Sequence, residues 1–318
     1  MLPINHHSLR CLGTSSLLLL FALFFCSCAC PTPGYKVESA VKCLRSAFED
    51  KEEKILSVNG HEIPINVTKG SGNKPVLLLH ELNGQSPGCL ELADQLARKG
   101  CKVYVPRYYA DFGSDISLGL PWAQVSFSPC WKLLSKTGGT ALSDTEAIAD
   151  FVKKRHPGQR VTVIGNCMTG GHALALLARP EVGTAVVCQP AAPVFPYSCA
   201  RRHSFGIPEE KVTASMEALH KDKRKKLVSF NYLDDAAAPI ERTYHLARLA
   251  DKANAADRHF IRIGAREVPR SLPLPKQSRY SWIPTKAKGI GDQHPTITSV
   301  PKPDVDRFRD ALYPILGL

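Results

Sequence analysis

What this 318-residue sequence lacks narrows its function first. Beyond residue 30 there is no Cys-X-X-Cys pair, so a structural zinc site or a thioredoxin-like dithiol has no support. No segment recurs at a fixed period, which argues against a solenoid or a propeller. Metal, nucleotide and haem motifs are missing, and no cofactor is expected. The net charge is +12, but the densest basic run, Lys221-Asp222-Lys223-Arg224-Lys225-Lys226, has no interleaved aromatics. That run reads as a solvated helix end, where cations suit the helix dipole, and no nucleic-acid partner is expected. The one marked apolar run, Leu17 to Phe25, covers nine residues and about 15 with its flanks, short of the ~20 that a spanning helix needs.

That short run has the design of an export signal. Arg10 and two histidines precede it, and Ser27-Cys28-Ala29-Cys30 follows. The ending also matches a lipoprotein box with Cys28 or Cys30 as the lipidated residue. The expectation is an exported protein, periplasmic or anchored to a membrane through its N-terminus as a lipoprotein; the alternative is an uncleaved anchor. Residues 31–54 read as an extension or linker, and residues 55–318 as one domain with an insertion at 265–288 rich in Pro, Arg and Lys.

Four of the eleven cysteines belong to the signal region; Cys43, Cys89, Cys101, Cys130, Cys167, Cys188 and Cys199 remain. An odd number in an oxidising compartment implies at least one free thiol. If that thiol is Cys167, the other six allow up to three disulfides.

The pattern of residues 55–318 alternates. A hairpin is expected over Ile55 to Lys69 around an Asn59-Gly60 turn. Strands are expected at Pro75–Leu79, Lys102–Pro106, Arg160–Gly165, Thr184–Cys188, Leu227–Tyr232 and His259–Ile263. Helices are expected at Gly88–Arg98, Ser143–Arg155 (with a Ser143/Glu146 capping box), Thr169–Ala178, Val212–Lys226, Ile240–Lys252 and Asp304–Leu316. Such alternation predicts an α/β fold with a mostly parallel twisted sheet and helices on both faces.

The stretch that carries chemistry is Val161-Thr-Val-Ile-Gly165-Asn166-Cys167-Met168-Thr169-Gly170-Gly171. A strand enters a Gly-X-Cys-X turn and a helix starts at once. Such a turn holds the middle residue in a strained conformation, lifts its side chain above the sheet and aims the first helix amides at one point. Those amides stabilise an oxyanion, and the helix dipole favours a thiolate.

These residues resemble the dienelactone hydrolase family of α/β-hydrolases, which carry Gly-X-Cys-X-Gly at this elbow. Leu77-Leu78-Leu79-His80-Glu81 matches a second family motif, and the resemblance runs over most of residues 55–318. It departs at the elbow's second glycine, where Thr169 stands and Gly170 follows, so a slightly wider turn is expected. The resemblance implies that Cys167 is the nucleophile, that Glu81 pairs with its thiol in the resting enzyme, and that Leu82 and Met168 supply the oxyanion amides. The family's Asp-X3-Pro pattern selects Asp235, with Asp234 as its rival, and the loop Gly289-Ile-Gly-Asp-Gln-His294 supplies the histidine. In these roles His294 takes the thiol proton, Asp235 holds the imidazole, and a small-molecule ester or lactone is cleaved through a thioester. Family members that act on dienelactones bind the substrate carboxylate through arginines; here Asp111 occupies one such place and Arg107 replaces an aspartate, so a chlorinated dienelactone is not expected. Tyr108, Trp122, Phe127, Trp131 and Trp282 are candidates for a pocket wall or for packing. The alternative from another class is a non-catalytic binding lipoprotein on the same fold.

Overall fold

A computed structural model describes residues 46–48, 55–82, 84–109, 125, 128–194, 198–231, 235, 237–252, 261–264, 281–284 and 303–318. The signal at 1–30 and nearly all of the 31–54 extension lie outside these residues, as do Asp234 and His294. Among the described residues, no helix is long and apolar enough to cross a membrane.

The chain opens with β1 (Ile55–Val58) and β2 (His61–Val67). They pair antiparallel across Asn59 and Gly60, whose φ values of 49° and 83° are the left-handed pair that a two-residue hairpin requires. There follow β3 (Lys74–Leu79), α1 (Pro87–Arg98), β4 (Cys101–Pro106), α2 (Ala141–Arg155), β5 (Val161–Asn166), α3 (Gly170–Leu176) and β6 (Val182–Cys188). The rest are α4 (Cys199–His203), α5 (Glu209–Lys221), β7 (Lys226–Phe230), α6 (Ile240–Lys252), β8 (Ile261–Gly264), β9 (Ser281–Pro284) and α7 (Pro303–Ile315). Seven strands form one sheet in the order β1-β2-β4-β3-β5-β6-β7, parallel from β4 onward.

The central strands are apolar on both faces, as buried parallel strands must be. Successive residues alternate between two cores. Leu77, Leu79, Val163, Ala185 and Val187 pack with α2, α3, α5 and α6 on one face. Val76, Leu78, Ile164, Val186 and Cys188 pack with α1 and α7 on the other. The period-2 side-chain direction of a strand thus splits each run between the layers.

Some expectations are corrected. The helix expected from Ser143 begins at Ala141 after Thr140, and the Ser143 hydroxyl donates back to the Thr140 carbonyl at 2.6 Å instead of capping. The helix expected to run to Lys226 stops at Lys221. Its basic run is not wholly solvated: Lys225 is buried, and its ammonium donates to the carbonyls of Arg179 (2.7 Å) and Val182 (2.6 Å). The insertion at 265–288 contains β9, which pairs parallel with β8 in a sheet of its own. No disulfide ties the described cysteines: Cys89, Cys101, Cys130, Cys167, Cys188 and Cys199 are all free thiols. Cys89, Cys101 and Cys188 are buried as small hydrophobes, and burial pushes each thiol up, Cys101 to about 11.

Candidate active site

The site forms where β5 ends at the C-terminal edge of the parallel strands. Gly165 lies in register with Leu79 on one side and Val187 on the other. Cys167 has φ +52°, in the left-handed region that costs a non-glycine residue about 1–2 kcal/mol. A single 3₁₀ turn, Cys167–Thr169, then leads into α3. The turn is tight enough to dictate its glycines. A Cβ on Gly165 would sit 2.3 Å from the Thr169 carbonyl oxygen, and one on Gly171 would sit 2.0 Å from the Phe205 carbonyl oxygen.

Thr169 does not loosen this turn. It is fully buried, and its hydroxyl accepts from the Asn166 amide at 2.9 Å. The hydroxyl proton lies within reach of the carbonyls of Asn166 (2.9 Å) and His80 (3.1 Å). The Asn166 side-chain amide adds a bond to the Leu79 carbonyl at 2.9 Å. The elbow is therefore stitched to the end of β3.

The β3 end carries the second motif. His80 is fully buried; its Nδ1 lies 2.8 Å from the Glu81 carbonyl, and its Nε2 accepts from the Tyr108 amide at 3.4 Å. The neutral ring with the proton on Nδ1 satisfies both, and burial lowers its pKa to about 4. Glu81 is buried rather than a surface carboxylate, and it forms an isolated bridge with Gly84. Leu82 and Met168 fall in one apolar cluster with Trp131 and Ala192. The Tyr109 hydroxyl reaches both, lying 3.0 Å from the Leu82 carbonyl and 3.5 Å from the Met168 sulfur. Trp131 stacks on His172 at 5.6 Å and meets Tyr108 edge-on at 5.1 Å. Trp122, Phe127 and the side chain of Trp282 lie outside the described residues.

Asp235 follows β7 and is buried. Its Oδ1 accepts from the amides of Ala237 (2.9 Å) and Ala238 (2.8 Å), a turn that fixes the carboxylate. Its Oδ2 faces the Gln189 side-chain amide at 3.5 Å. Ala238 of this turn packs with Cys167 and Ala191. Cys167 and the Asp235 turn are thus brought together from opposite sides of β6. His294 lies outside the described residues.

Three residues near the site carry no motif. Tyr109 and Gln189 touch it as described, and Gln189 itself sits at φ +44°. Arg242, in the first turn of α6, is fully buried. A signal for Arg242 was present: it precedes Leu246 by one turn, so a charge stands on the helix face that buries Leu246 and Ala250.

A left-handed residue at a strand-to-helix junction, set on a mostly parallel sheet with helices on both faces, defines an α/β-hydrolase. Within that class the chain belongs to the dienelactone hydrolase family, whose profile matches residues 65–224, half of the chain. That stretch includes Glu81 and Cys167. No curated protein matches the sequence. Among solved structures, the chain is similar to a protein assigned as a dienelactone hydrolase from Klebsiella pneumoniae, at 14% identity and TM-score 0.50, covering 83% of this chain and 97% of that one. It is similar to the esterase Pf2001 of Pyrococcus furiosus, at 13% identity and TM-score 0.50, covering 87% and 92%. At these identities the likeness is one of fold.

Proposed function

We propose that this member of a hydrolase family cleaves a carboxylic ester or lactone with Cys167 as nucleophile, in a Cys167–His294–Asp235 triad. The observation that carries the reading is the left-handed backbone of Cys167 at the end of β5, with the Asp235 turn packed against it. A strained nucleophile at a helix start exposes its sulfur to substrate and faces the first helix amides. His294 accepts the thiol proton, and the thiolate adds to the ester carbonyl carbon. The oxyanion is held by the amides of Leu82 and Met168. Collapse breaks the acyl C–O bond, and the imidazolium of His294 gives its proton to the departing alcohol. His294 then removes a proton from water, which attacks the thioester and releases the acid and the thiolate. In the resting state Glu81 pairs with the Cys167 thiol, whose proton passes to His294 when substrate binds.

The assay is a burst of p-nitrophenolate from p-nitrophenyl acetate, followed by a panel of neutral esters and lactones. Loss of the burst in Cys167→Ala and on prior iodoacetamide treatment supports the reading. Unchanged turnover in Cys167→Ala sinks the nucleophile assignment, and no turnover by the wild-type protein on any member of the panel leaves a non-catalytic binding role on the same fold. Export through residues 1–30, with lipidation at Cys28 or Cys30, is part of the same proposal. Cell fractionation with labelled palmitate tests it, and a protein confined to the cytosol and unlabelled would overturn it.

A further inference from the structure

Arg242 occupies two unfavourable places at once. Its guanidinium is fully buried, which costs several kcal/mol for an ion, and it lies in the first turn of α6, where a cation opposes the helix dipole. Its Nη1 donates to the Pro190 carbonyl. Its Nη2 lies 2.7 Å from the Pro193 carbonyl and 3.2 Å from that of Arg201. These acceptors are neutral carbonyls, and the buried Nε has no hydrogen-bond partner among the described residues. Burial draws the pKa of Arg242 down to about 9, still charged at neutral pH. The groups that oppose this fall are Asp235 first, then Cys167, with Glu241 adding and Arg201 subtracting.

The clamped segment is the one that touches the nucleophile. The Ala191 amide donates to the Cys167 carbonyl at 2.9 Å. Pro190 crowds Gly170 so closely that a Cβ there would lie 2.9 Å from the Pro190 Cβ. The preceding residue, Gln189, faces Asp235.

We propose that Arg242 is a positioning residue of this site: its guanidinium, bonded to the carbonyls of Pro190 and Pro193, locks residues 190–193 against the backbone of Cys167. This rests on the reading of Cys167 as nucleophile. A lysine cannot replace it fully, because one ammonium does not reproduce the planar fork that spans several carbonyls.

The test measures ester kcat and KM beside the rate of iodoacetamide alkylation of Cys167 at one fixed pH, in the full chain and followed on its peptide by mass spectrometry. The variants are Arg242→Gln and Arg242→Lys, each checked by circular dichroism. Arg242→Gln is expected to lower ester kcat by about tenfold with KM changed less, and to slow alkylation of Cys167. Arg242→Lys is expected to restore part of both. Wild-type kcat in folded Arg242→Gln overturns the proposal. If Arg242→Gln does not fold, Arg242→Lys decides: a reduced kcat with KM near wild type supports the proposal, and wild-type kcat overturns it. Alkylation needs no turnover, so a wild-type protein without esterase activity would sink the functional reading while the alkylation comparison still stands.

Discussion

The Thr169 hydroxyl lies 3.1 Å from the His80 carbonyl, so the residue that departs from the glycine of the family elbow also ties that elbow to the end of β3. The segment after β3 that carries the candidate oxyanion residue Leu82 and the turn carrying the candidate nucleophile Cys167 are joined through this side chain and that of Asn166. A β-branched residue fits here because its hydroxyl replaces backbone freedom with a specific bond, and the close approaches that demand glycine fall at Gly165 and Gly171 instead.

Thr169→Val keeps the shape and removes the hydroxyl. The Asn166 amide, buried and bonded to that oxygen at 2.9 Å, loses its acceptor. The expected loss of stability is about 1–3 kcal/mol, read by urea denaturation. Thr169→Ser retains the oxygen and is expected to lie close to wild type; equal stability of Val and wild type would refute the stitch.

Gly165→Ala places a methyl 2.3 Å from the Thr169 carbonyl and 2.8 Å from the Ala173 Cβ. A backbone atom cannot yield as the far end of a side chain can, so the strand and helix must part. The expected cost is about 3 kcal/mol or more, seen in thermal unfolding, together with loss of Cys167 reactivity.

Cys167→Ala and Cys167→Gly both remove the thiol and are expected to be inactive. They differ in backbone strain: at φ +52° glycine suffers no Cβ penalty. Cys167→Gly is therefore expected to be more stable than Cys167→Ala by about 1 kcal/mol. The reverse order in urea melts would show that the left-handed turn is unstrained.

His80 and His172 are both fully buried and neutral, with pKa values lowered to about 4 by burial. In the unfolded chain each titrates near 6.5, so between these values the unfolded state binds the extra protons. Their contribution to stability is complete above about pH 6.5 and is lost as the pH falls towards about 4. Each adds up to about 1.4 kcal/mol per pH unit to the slope across that window. His172→Gln is expected to flatten the slope, measured as urea stability against pH; an unchanged slope would count against a neutral buried imidazole.

Much of the fold was legible because strand and helix periods are local. The hairpin was readable from Asn59-Gly60, whose left-handed requirement is written in the residue types. The parallel strands stood out as unbroken apolar runs, and the elbow as a glycine pattern at a strand-to-helix junction. The start of α2 misled because Ser143 and Glu146 have capping-box spacing, while the helix starts at Ala141 and the exposed Ser143 hydroxyl bonds back to the Thr140 carbonyl. Lys225 misled because its neighbours are solvated, yet its own ammonium is satisfied by two carbonyls, one from the turn after α3 and one from the start of β6.

By itself the sequence determined the α/β architecture and the position of the strand-to-helix turn at Cys167, since both depend on residues close together in the chain and on their period. Tertiary structure alone decided which distant groups surround that turn: the Thr169 stitch to His80, the facing of Gln189 and Asp235, and the Arg242 clamp on residues 190–193. Those depend on side chains brought together across β6 and α6, where burial strengthens each charge and hydrogen bond and makes each unmatched one costly.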